Sequence, residues 1–461
     1  MSIERAYLMP HPPLAVAGIG DAEKTEIGRT LAACDEVAQE IASFAPETII
    51  FIAPHGTAYA DYFHVIPGLG ASGDFSRFGA PQVQLSVDMD IELVDTIAEI
   101  ATVADIPTGA GYERGEALAH GVMVPLSFID QRYRDFKAVC ISQSGMDPVA
   151  HYRLGQCLTE AVARTGRRAI LVASGDLSHR LSADGPYGYD PDAPYFDKKV
   201  LLALESGNFF KLFKISAKAR ERAGECGYRS LVVLAGCFDR REVNSAVLSY
   251  EYPFGVGYAV ARFIEGGPDE SRAFLAQHDE WQATVAADEA ATEDDYCKLA
   301  RRSLEHMVRY GRHMKLDDTV PPEMFEKRAG VFVSLHKGEQ LRGCIGTIAP
   351  TTESVAHEIV HNAISAGFND TRFKPVHASE LPYLVYKVDV LSPPEKIDSA
   401  DQLDVKRYGV IVSNGAQRGL LLPDLEGIDT VEEQIAVARA KAGIPAGEPV
   451  KLQRFEVIRH V

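Results

Sequence analysis

Short, almost wholly apolar runs alternate with longer amphipathic stretches through the first half of the chain. Ala6-Tyr7-Leu8-Met9, Ile49-Ile50-Phe51-Ile52-Ala53 and Ala169-Ile170-Leu171-Val172-Ala173 are each followed within two residues by Pro or Gly. Runs of that kind read as strands buried on both faces, the habit of parallel sheets. Residues 137–143 and 243–250 read as further strands. Between the strands, residues 21–44, 90–104, 148–165, 195–206 and 228–235 carry helical periodicity. The alternation predicts an α/β unit, a mainly parallel sheet flanked by helices, over residues 1–264.

The pattern changes after Gly266-Gly267-Pro268. Residues 265–292 are rich in Ala, Asp and Glu and read as a linker that becomes helical. Residues 293–310 form an amphipathic helix that opens a second unit, 293–461. Strands are predicted at 330–335 and 381–391, a Gly-interrupted strand or turn at 340–348, and helices at 352–366 and 431–442. Residues 410–413 and 419–422 pair as a hairpin across Asn414-Gly415. This half reads as a smaller α+β domain.

With 461 residues, two or three domains are expected. The formal charge of -18 argues against nucleic acid and anionic membranes as partners. The seven cysteines contain no CxxC pair, which fits a reducing compartment. No apolar run approaches the roughly 20 residues of a membrane span, and the expected location is cytoplasmic.

Three histidines give this frame a chemistry. His11, His55 and His179 each follow one of the apolar runs, and open α/β sheets bind ligands beyond the carboxyl ends of their strands. Two imidazoles and a carboxylate suit non-haem Fe(II), because they leave positions open for substrate and oxygen. His11 and His55 supply the imidazoles. The third ligand has three candidates: Glu225 in Ala223-Gly224-Glu225-Cys226-Gly227-Tyr228, its neighbour Cys226, and Glu251 after the 243–250 strand. A Cys226 thiolate turns the preference toward copper or zinc. His120 and His179 can act as acid and base near neutral pH, with Asp176 as an orienting acceptor. Tyr187, Tyr189 and Tyr195 read as loop packing, and His64 and His151 as structural or surface residues. Ser174 lacks the GxSxG turn of a nucleophilic serine.

In the second half, Cys344 stands between Gly343 and Gly346, with Arg342 two residues before it. That is either an activated thiolate or a small buried residue in a tight strand. His357 and His361 are spaced i,i+4 on one helix, a metal pair without a further ligand or a polar face.

Taken in order, MPHPPL, FIAPHG, AHGVMVPL, SGDLSHRL and GECGYRS resemble the LigB-type class III extradiol ring-cleavage dioxygenases, and the MEMO proteins that share their fold, over residues 1 to 263. The resemblance implies that His11 and His55 are metal ligands, His179 the catalytic acid–base and His120 the second active-site histidine. The dioxygenases have a glutamate as third ligand and the MEMO proteins a cysteine in a Cys-Gly pair, so Glu225 and Cys226 each match one pattern. Taking Glu225 gives an Fe(II)-dependent ring-cleaving dioxygenase acting on a catechol-type aromatic diol and O2. Taking Cys226 gives a MEMO-like metal- or peptide-binding module, with copper or zinc as the alternative metal. LRGCIGT, GFNDTRFKPV, LSPPEKI, YGVIV and RGLLLP look like the AMMECR family over 293–461, which implies a two-lobed domain. Relatives of both halves occur as partners of a radical-SAM protein in the AmmeMemoRadiSam grouping. The resemblance therefore implies such a partner here, and a homodimer is the expected assembly.

Overall fold

The computed structural model describes residues 2–20, 23–110, 117–425 and 427–461. The chain divides into two units, Met1–His278 and Asp279–Val461. In the first, the apolar runs become strands: β1 (Arg5–Met9), β2 (Thr48–Ala53), β3 (Phe63–Val65), β4 (Gly70–Phe75), β5 (Ala80–Asp88), β6 (Thr108–Ala110), β7 (Lys137–Ser142), β8 (Ala169–Ser174), β9 (Arg241–Glu251) and β10 (Tyr258–Pro268). The helices are α1 (Gly28–Phe44), α2 (Ile91–Val103), α3 (His120–Asp130), α4 (Pro148–Thr165), α5 (Asp192–Ser206), the short α6 (Phe210–Phe213) and α7 (Ala217–Ala223), and α8 (Tyr228–Cys237). Asp21 and Ala22, where the sequence predicts α1 to begin, lie outside the described residues; a 3-10 turn at Glu23–Ile27 leads into the helix.

Eight strands form one sheet in the order β6-β3-β7-β2-β8-β1-β10-β9, and β4 pairs with β5 in a separate hairpin. The four middle strands β7, β2, β8 and β1 are parallel. β10 runs antiparallel to β1, β9 to β10, and β3 to β7. The sheet is therefore mixed, with its longest parallel run in the middle and a further parallel pair, β3 and β6, at one edge. All residues of β2 and β8 are buried, because alternate side chains enter two separate cores. Ile50, Ile52, Leu171 and Ala173 join Leu158, Phe196 and Val233 on one face. Ile49, Phe51, Ile170 and Val172 join Val37, Ile41, Val124 and Leu126 on the other. Continuous apolar runs are what a strand covered twice requires.

Residues 265–292, read from the sequence as a linker, hold the end of β10, a 3-10 turn at Glu270–Arg272 and α9 (Phe274–Thr292). The Gly266-Gly267-Pro268 break falls at an irregularity in the β10–β9 ladder between Glu265 and Pro268, the kind of place where sheets tolerate Gly and Pro.

The second unit continues with α10 (Asp295–Tyr310), α11 (Glu323–Glu326), β11 (Val331–Lys337), β12 (Gln340–Gly346), α12 (Val355–Phe368), β13 (Leu384–Leu391), β14 (Glu395–Ile397), β15 (Gly409–Asn414), β16 (Gln417–Leu421), α13 (Val431–Ala442), β17 (Lys451–Phe455) and β18 (Val457–His460). It contains two four-stranded antiparallel sheets, β12-β11-β13-β18 and β14-β17-β15-β16. The first is covered by residues of α10 and α12, such as Leu299, Leu304, Ile359 and Ala363. The second is covered by α13 through Ala438. The β15–β16 hairpin turns at Gly415, whose φ of +59° suits glycine. Among the described residues, no helix is long and apolar enough to cross a membrane.

Candidate metal centre

Strand register sets the site. Leu8 of β1 is level with Ala173 of β8, and Ala173 is level with Ile52 of β2. Equal steps past those positions arrive at His11, Asp176 and His55, so three neighbouring parallel strands deliver these side chains at one height beyond their carboxyl ends. The residue that β8 presents beside the two histidines is Asp176; His179 comes from the loop that follows it.

His55 has φ +69°. That is uncommon for a non-glycine residue, and such strain concentrates at functional positions. His120 is the first residue of α3, where Gly121 lies so close to the Pro54 carbonyl that a Cβ would come within 2.7 Å of it. The absence of a side chain at Gly121 lets His120 reach the rim. The His120 and His55 rings stack with centroids 4.5 Å apart and 14° between planes. The His11 ring meets both edge-on, 5.0 Å from His55 and 5.4 Å from His120.

Cys226, not Glu225, completes the cluster. Nitrogens of His11 and His55 and the sulfur of Cys226 all lie within 4.8 Å of one another. Cys226 Sγ is 3.5 Å from His11 Nε2 and accepts the Asp176 N–H at 3.3 Å. A second group, Asp176, His179 and Cys226, meets the same distance limit and shares the sulfur. Glu225 is drawn the other way: its carboxylate accepts the Tyr228 N–H at 2.6 Å at the start of α8. Adjacent residues in a loop point apart, and unsatisfied amides at a helix N-terminus attract a carboxylate. Glu251 is also engaged elsewhere, accepting from Arg29 at 3.0 Å and from the Thr30 N–H at 2.8 Å. The carboxylates of Glu225 and Glu251 are thus engaged away from the two histidines, and the side chain beside them is Cys226.

Two glycines permit this arrangement. A Cβ on Gly175 would fall 2.1 Å from the Gly227 Cα, so the β8 end and the cysteine loop touch backbone to backbone. Gln143 Nε2 donates to the Cys226 carbonyl at 2.8 Å and holds the loop.

The hydrogen bonds also set protonation. Ser174 Oγ donates to the Gly121 carbonyl and lies 3.0 Å from His11 Nδ1. With its proton committed, Ser174 accepts from Nδ1–H, and His11 Nε2 is left with its lone pair toward Cys226. Burial, then the fields of His55 and His179, hold His11 well below the usual imidazole range. Burial, then His11 and His55, push His120 down to about 3. Burial also lowers His55 and His179. Asp176 is raised by burial to about 6, and the Cys226 thiol is raised by burial and then by Asp176.

These shifts describe neutral imidazoles around a thiol that is costly to ionise alone. A bound cation reverses that cost. The donor set fits a transition metal on a further count: His179 Nε2 is buried and has no hydrogen-bond partner among the described residues, an expensive state for a polar atom unless a ligand or ion completes it.

The remaining candidates separate. Tyr187 lies 5.2 Å from the His179 ring, so it belongs to the site's edge as well as to its loop. His151 is a satisfied core histidine: its Nδ1 lies 2.9 Å from the Asp147 carbonyl, and Nε2 accepts from Ser144 N–H. In the second unit, Arg342 is clamped bidentately by Glu380 at 2.6 and 3.0 Å, and the Cys344 N–H donates to Asp370 at 2.9 Å. Burial raises the Cys344 thiol, with Arg372 as a partial offset. A Cβ on Gly343 would fall 2.2 Å from the Ala366 carbonyl, so that glycine seats α12 on β12. His357 and His361 line a cleft of about 1110 Å³ with His313, but they belong to no group of three close ligand atoms among the described residues. The sequence reading passed over the hairpin that carries Arg77 and Phe78, although the polar–apolar alternation of residues 82–88 was a strand signal.

The mixed α/β sheet thus carries, beyond its parallel strand ends, a histidine–cysteine–aspartate cluster that could hold a metal ion. Residues 5–261 match the family described as the catalytic LigB subunit of aromatic ring-opening dioxygenase, and residues 297–460 match AMMECR1. The chain belongs to the LigB family and carries an AMMECR1 domain. Protein CA_C1420 of Clostridium acetobutylicum is 41% identical over 468 residues, covering 100% of this chain and 99% of that protein. A Thermotoga maritima protein is 52% identical over 170 residues, covering 36% of this chain and 98% of its own length. Among solved structures, the uncharacterized protein PH0010 from Pyrococcus horikoshii is 34% identical, covers 36% of this chain and 88% of its own, and has a TM-score of 0.34. The uncharacterized protein JW3007 from Escherichia coli K12 is 16% identical, covers 56% and 99%, and has a TM-score of 0.38.

Proposed function

We propose that the first unit is a metal-dependent catalyst in which His11, His55 and Cys226 hold the metal, and His179 and Asp176 manage protons on a ligand bound beside it. The observation that carries this reading is the Cys226 sulfur within 4.8 Å of nitrogens of both histidines. Two imidazoles and a thiolate favour copper or zinc over Fe(II). Such a metal, when bound, supplies Lewis-acid activation of a coordinated oxygen.

The chain's own residues do the rest. Ser174 fixes the His11 tautomer, so that Nε2 stays a donor to the metal. Asp176 Oδ1 accepts the His11 backbone N–H at 2.9 Å and holds that strand end in place. His179 Nε2, the buried nitrogen without a hydrogen-bond partner among the described residues, takes or gives the proton. His120, held neutral and stacked on His55, borders the site without adding charge.

A second reading has its own support. Asp176 is level with both histidines, so His11, His55 and Asp176 offer the two-imidazole-one-carboxylate set of an Fe(II) oxygenase. The family description, an aromatic ring-opening dioxygenase, favours it. On that reading the substrates are a catechol-type diol and O2.

Metal affinity and content of Cys226→Ser, Asp176→Asn and Glu225→Gln decide between them. On the first reading Cys226→Ser loses at least the ~10–100-fold that even an outer-shell change costs, for zinc or copper. Asp176→Asn loses less, and Glu225→Gln is unchanged. Iron retention lost only in Asp176→Asn, together with catechol-dependent oxygen uptake by the wild type, would establish the second reading and end the first.

A further inference from the structure

The cleft of about 1110 Å³ in the second unit lies between the 313–326 segment and the first turns of α12. Pockets for drug-sized ligands hold about 300–1,000 Å³, so this one has room for more than a small metabolite. One of its walls is a strand without a partner. Residues 313–316 belong to no helix or sheet, yet their burial alternates with a period of two. His313 and Lys315 are exposed, whereas Met314 and Leu316 are half-buried and pack on the core of the unit. That is the habit of a strand with one covered face. The amides and carbonyls of these four residues have no hydrogen-bond partner among the described residues, and all four residues line the cleft. A run of unpaired backbone groups in a strand is a template for another strand.

The other walls select what lies beside that strand. Val320 and Val360 are buried and give the cleft an apolar floor. Phe325 of α11 is 40% exposed, with its ring edge-on to His357 at 6.2 Å. A large ring left open over an apolar floor is an anchor for an incoming apolar side chain. Asp318, Glu326 and Glu353 line the cleft, are exposed and have no ion-pair partner among the described residues. Asp317 differs, because Arg302 pairs with it at 2.9 Å. Lys315 is the one lysine in the lining. With histidine counted as neutral, the unpaired carboxylates outnumber it, and the lip of the cleft attracts cations.

We propose that the cleft is the docking site for an extended, basic segment of a partner protein. The segment pairs its backbone with residues 313–316 and seats an apolar side chain against Phe325, Val320 and Val360. A lysine or arginine of the segment meets Glu326 and Glu353. The proposal goes beyond the metal-centre reading and does not depend on it. The unpaired strand favours a peptide over a free organic cation, because a small amine would answer the carboxylates and leave the backbone groups unpaired. The charge of the lip favours a basic partner over a second copy of this chain, whose net charge of -18 repels its own kind.

Titration calorimetry of the full-length protein with the peptide acetyl-Lys-Val-Phe-Val-Lys-amide tests the proposal. The controls are the same peptide with Glu for Lys, free phenethylamine, and two N-methylated forms. One form is methylated at the second and fourth residues, the other at the first, third and fifth. The Lys peptide is expected to bind about tenfold more tightly than the Glu peptide or phenethylamine, and to slow amide exchange at residues 313–316. A strand pairs through alternate residues, so at least one N-methylated form should lose binding. Phe325→Ala should weaken the Lys peptide about three- to tenfold, and Phe325→Tyr should keep it. Glu326→Gln combined with Glu353→Gln should remove the preference for the Lys peptide over the Glu peptide. All of these side chains are exposed, so the variants should melt as the wild type does. No binding at millimolar concentration, equal binding of the Lys and Glu peptides, or full binding of both N-methylated forms would overturn the proposal. So would peptide binding that leaves exchange at 313–316 unchanged. Phenethylamine binding as tightly as the peptide would make the cleft a site for a free organic cation. Exchange at 313–316 that slows with protein concentration alone would make the occupant a second copy, and either result overturns the partner segment.

Discussion

Cys226 and Cys344 are both half-buried, and each stands beside a glycine, yet the two units use them differently. Around Cys226 the polar groups converge on one another: Asp176 accepts the His11 N–H and donates its own to the sulfur. His11, His55 and Asp176 arrive at one level, and the buried Nε2 of His179 finds no hydrogen-bond partner among the described residues. Around Cys344 the charges are matched, Arg342 with Glu380 and Asp370 with Arg372 at 2.7 Å, and what is left over is Arg342 Nη1, buried without a hydrogen-bond partner among the described residues. Groups that satisfy one another hold a fold together, whereas groups left short of partners wait for a ligand.

The buried carboxylates of the two units give the largest test. Burial alone would raise Glu358, but it accepts five hydrogen bonds from Thr347, Thr351 and Thr352, and their sum lowers it. Its stabilisation is full above the ordinary glutamate value and is lost as pH falls through its lower folded value. Glu358→Ala should cost about 3 kcal/mol, since several buried donors lose their acceptor. Asp176 behaves oppositely. Burial raises it to about 6 from 3.8, so a penalty grows as pH rises across that interval and is complete above it. In metal-free protein at pH 7, Asp176→Asn should therefore gain about 1–3 kcal/mol, while Glu358→Ala loses. Urea denaturation under chelation measures both. A loss in both variants would break the contrast between a paired and a waiting carboxylate.

Two glycines sharpen it at a smaller scale. Gly175→Ala would press on the Gly227 Cα, and Gly343→Ala on the Ala366 carbonyl, each at close to 2 Å. Backbone cannot yield cheaply, so each should cost about 1–3 kcal/mol. Only Gly175→Ala displaces the loop that positions Cys226, so zinc affinity should fall with it by about tenfold and stay unchanged in Gly343→Ala. Equal metal binding in both variants would show that the glycine contact does not place the sulfur.

These pairs also show what could be read in advance. Strand runs ending at His11 and His55 are a local signal, and the parallel middle of the sheet follows from burial on both faces. The choice between Glu225 and Cys226 was not local. It depends on the unsatisfied amides that open α8 and on the Gly175–Gly227 contact, which joins segments about fifty residues apart. Chemistry favoured the carboxylate, and the helix N-terminus had the stronger claim on it. Asp176 was legible as a partner for a histidine, but its place level with His11 and His55 needed the register of three strands. Gly266-Gly267-Pro268 looked like the end of a domain because a ladder irregularity and a linker use the same residues.

The smallest effect belongs to Cys344. Its side chain is raised by burial, and the Arg342 that suggested activation is clamped by Glu380 and by the Lys374 carbonyl at 2.9 Å. The hydrogen bond to Asp370 comes from the Cys344 backbone N–H, which alanine keeps. Cys344→Ala should therefore shift stability by no more than about 1 kcal/mol and leave zinc affinity as in the wild type. Iodoacetamide should modify Cys344 slowly at neutral pH, because the thiolate is the reactive form and little of it is present. Rapid alkylation at Cys344 in zinc-loaded protein, where Cys226 is held by the metal, would place an activated thiol in the second unit. Its polar residues would then have to be counted as a site and not as packing.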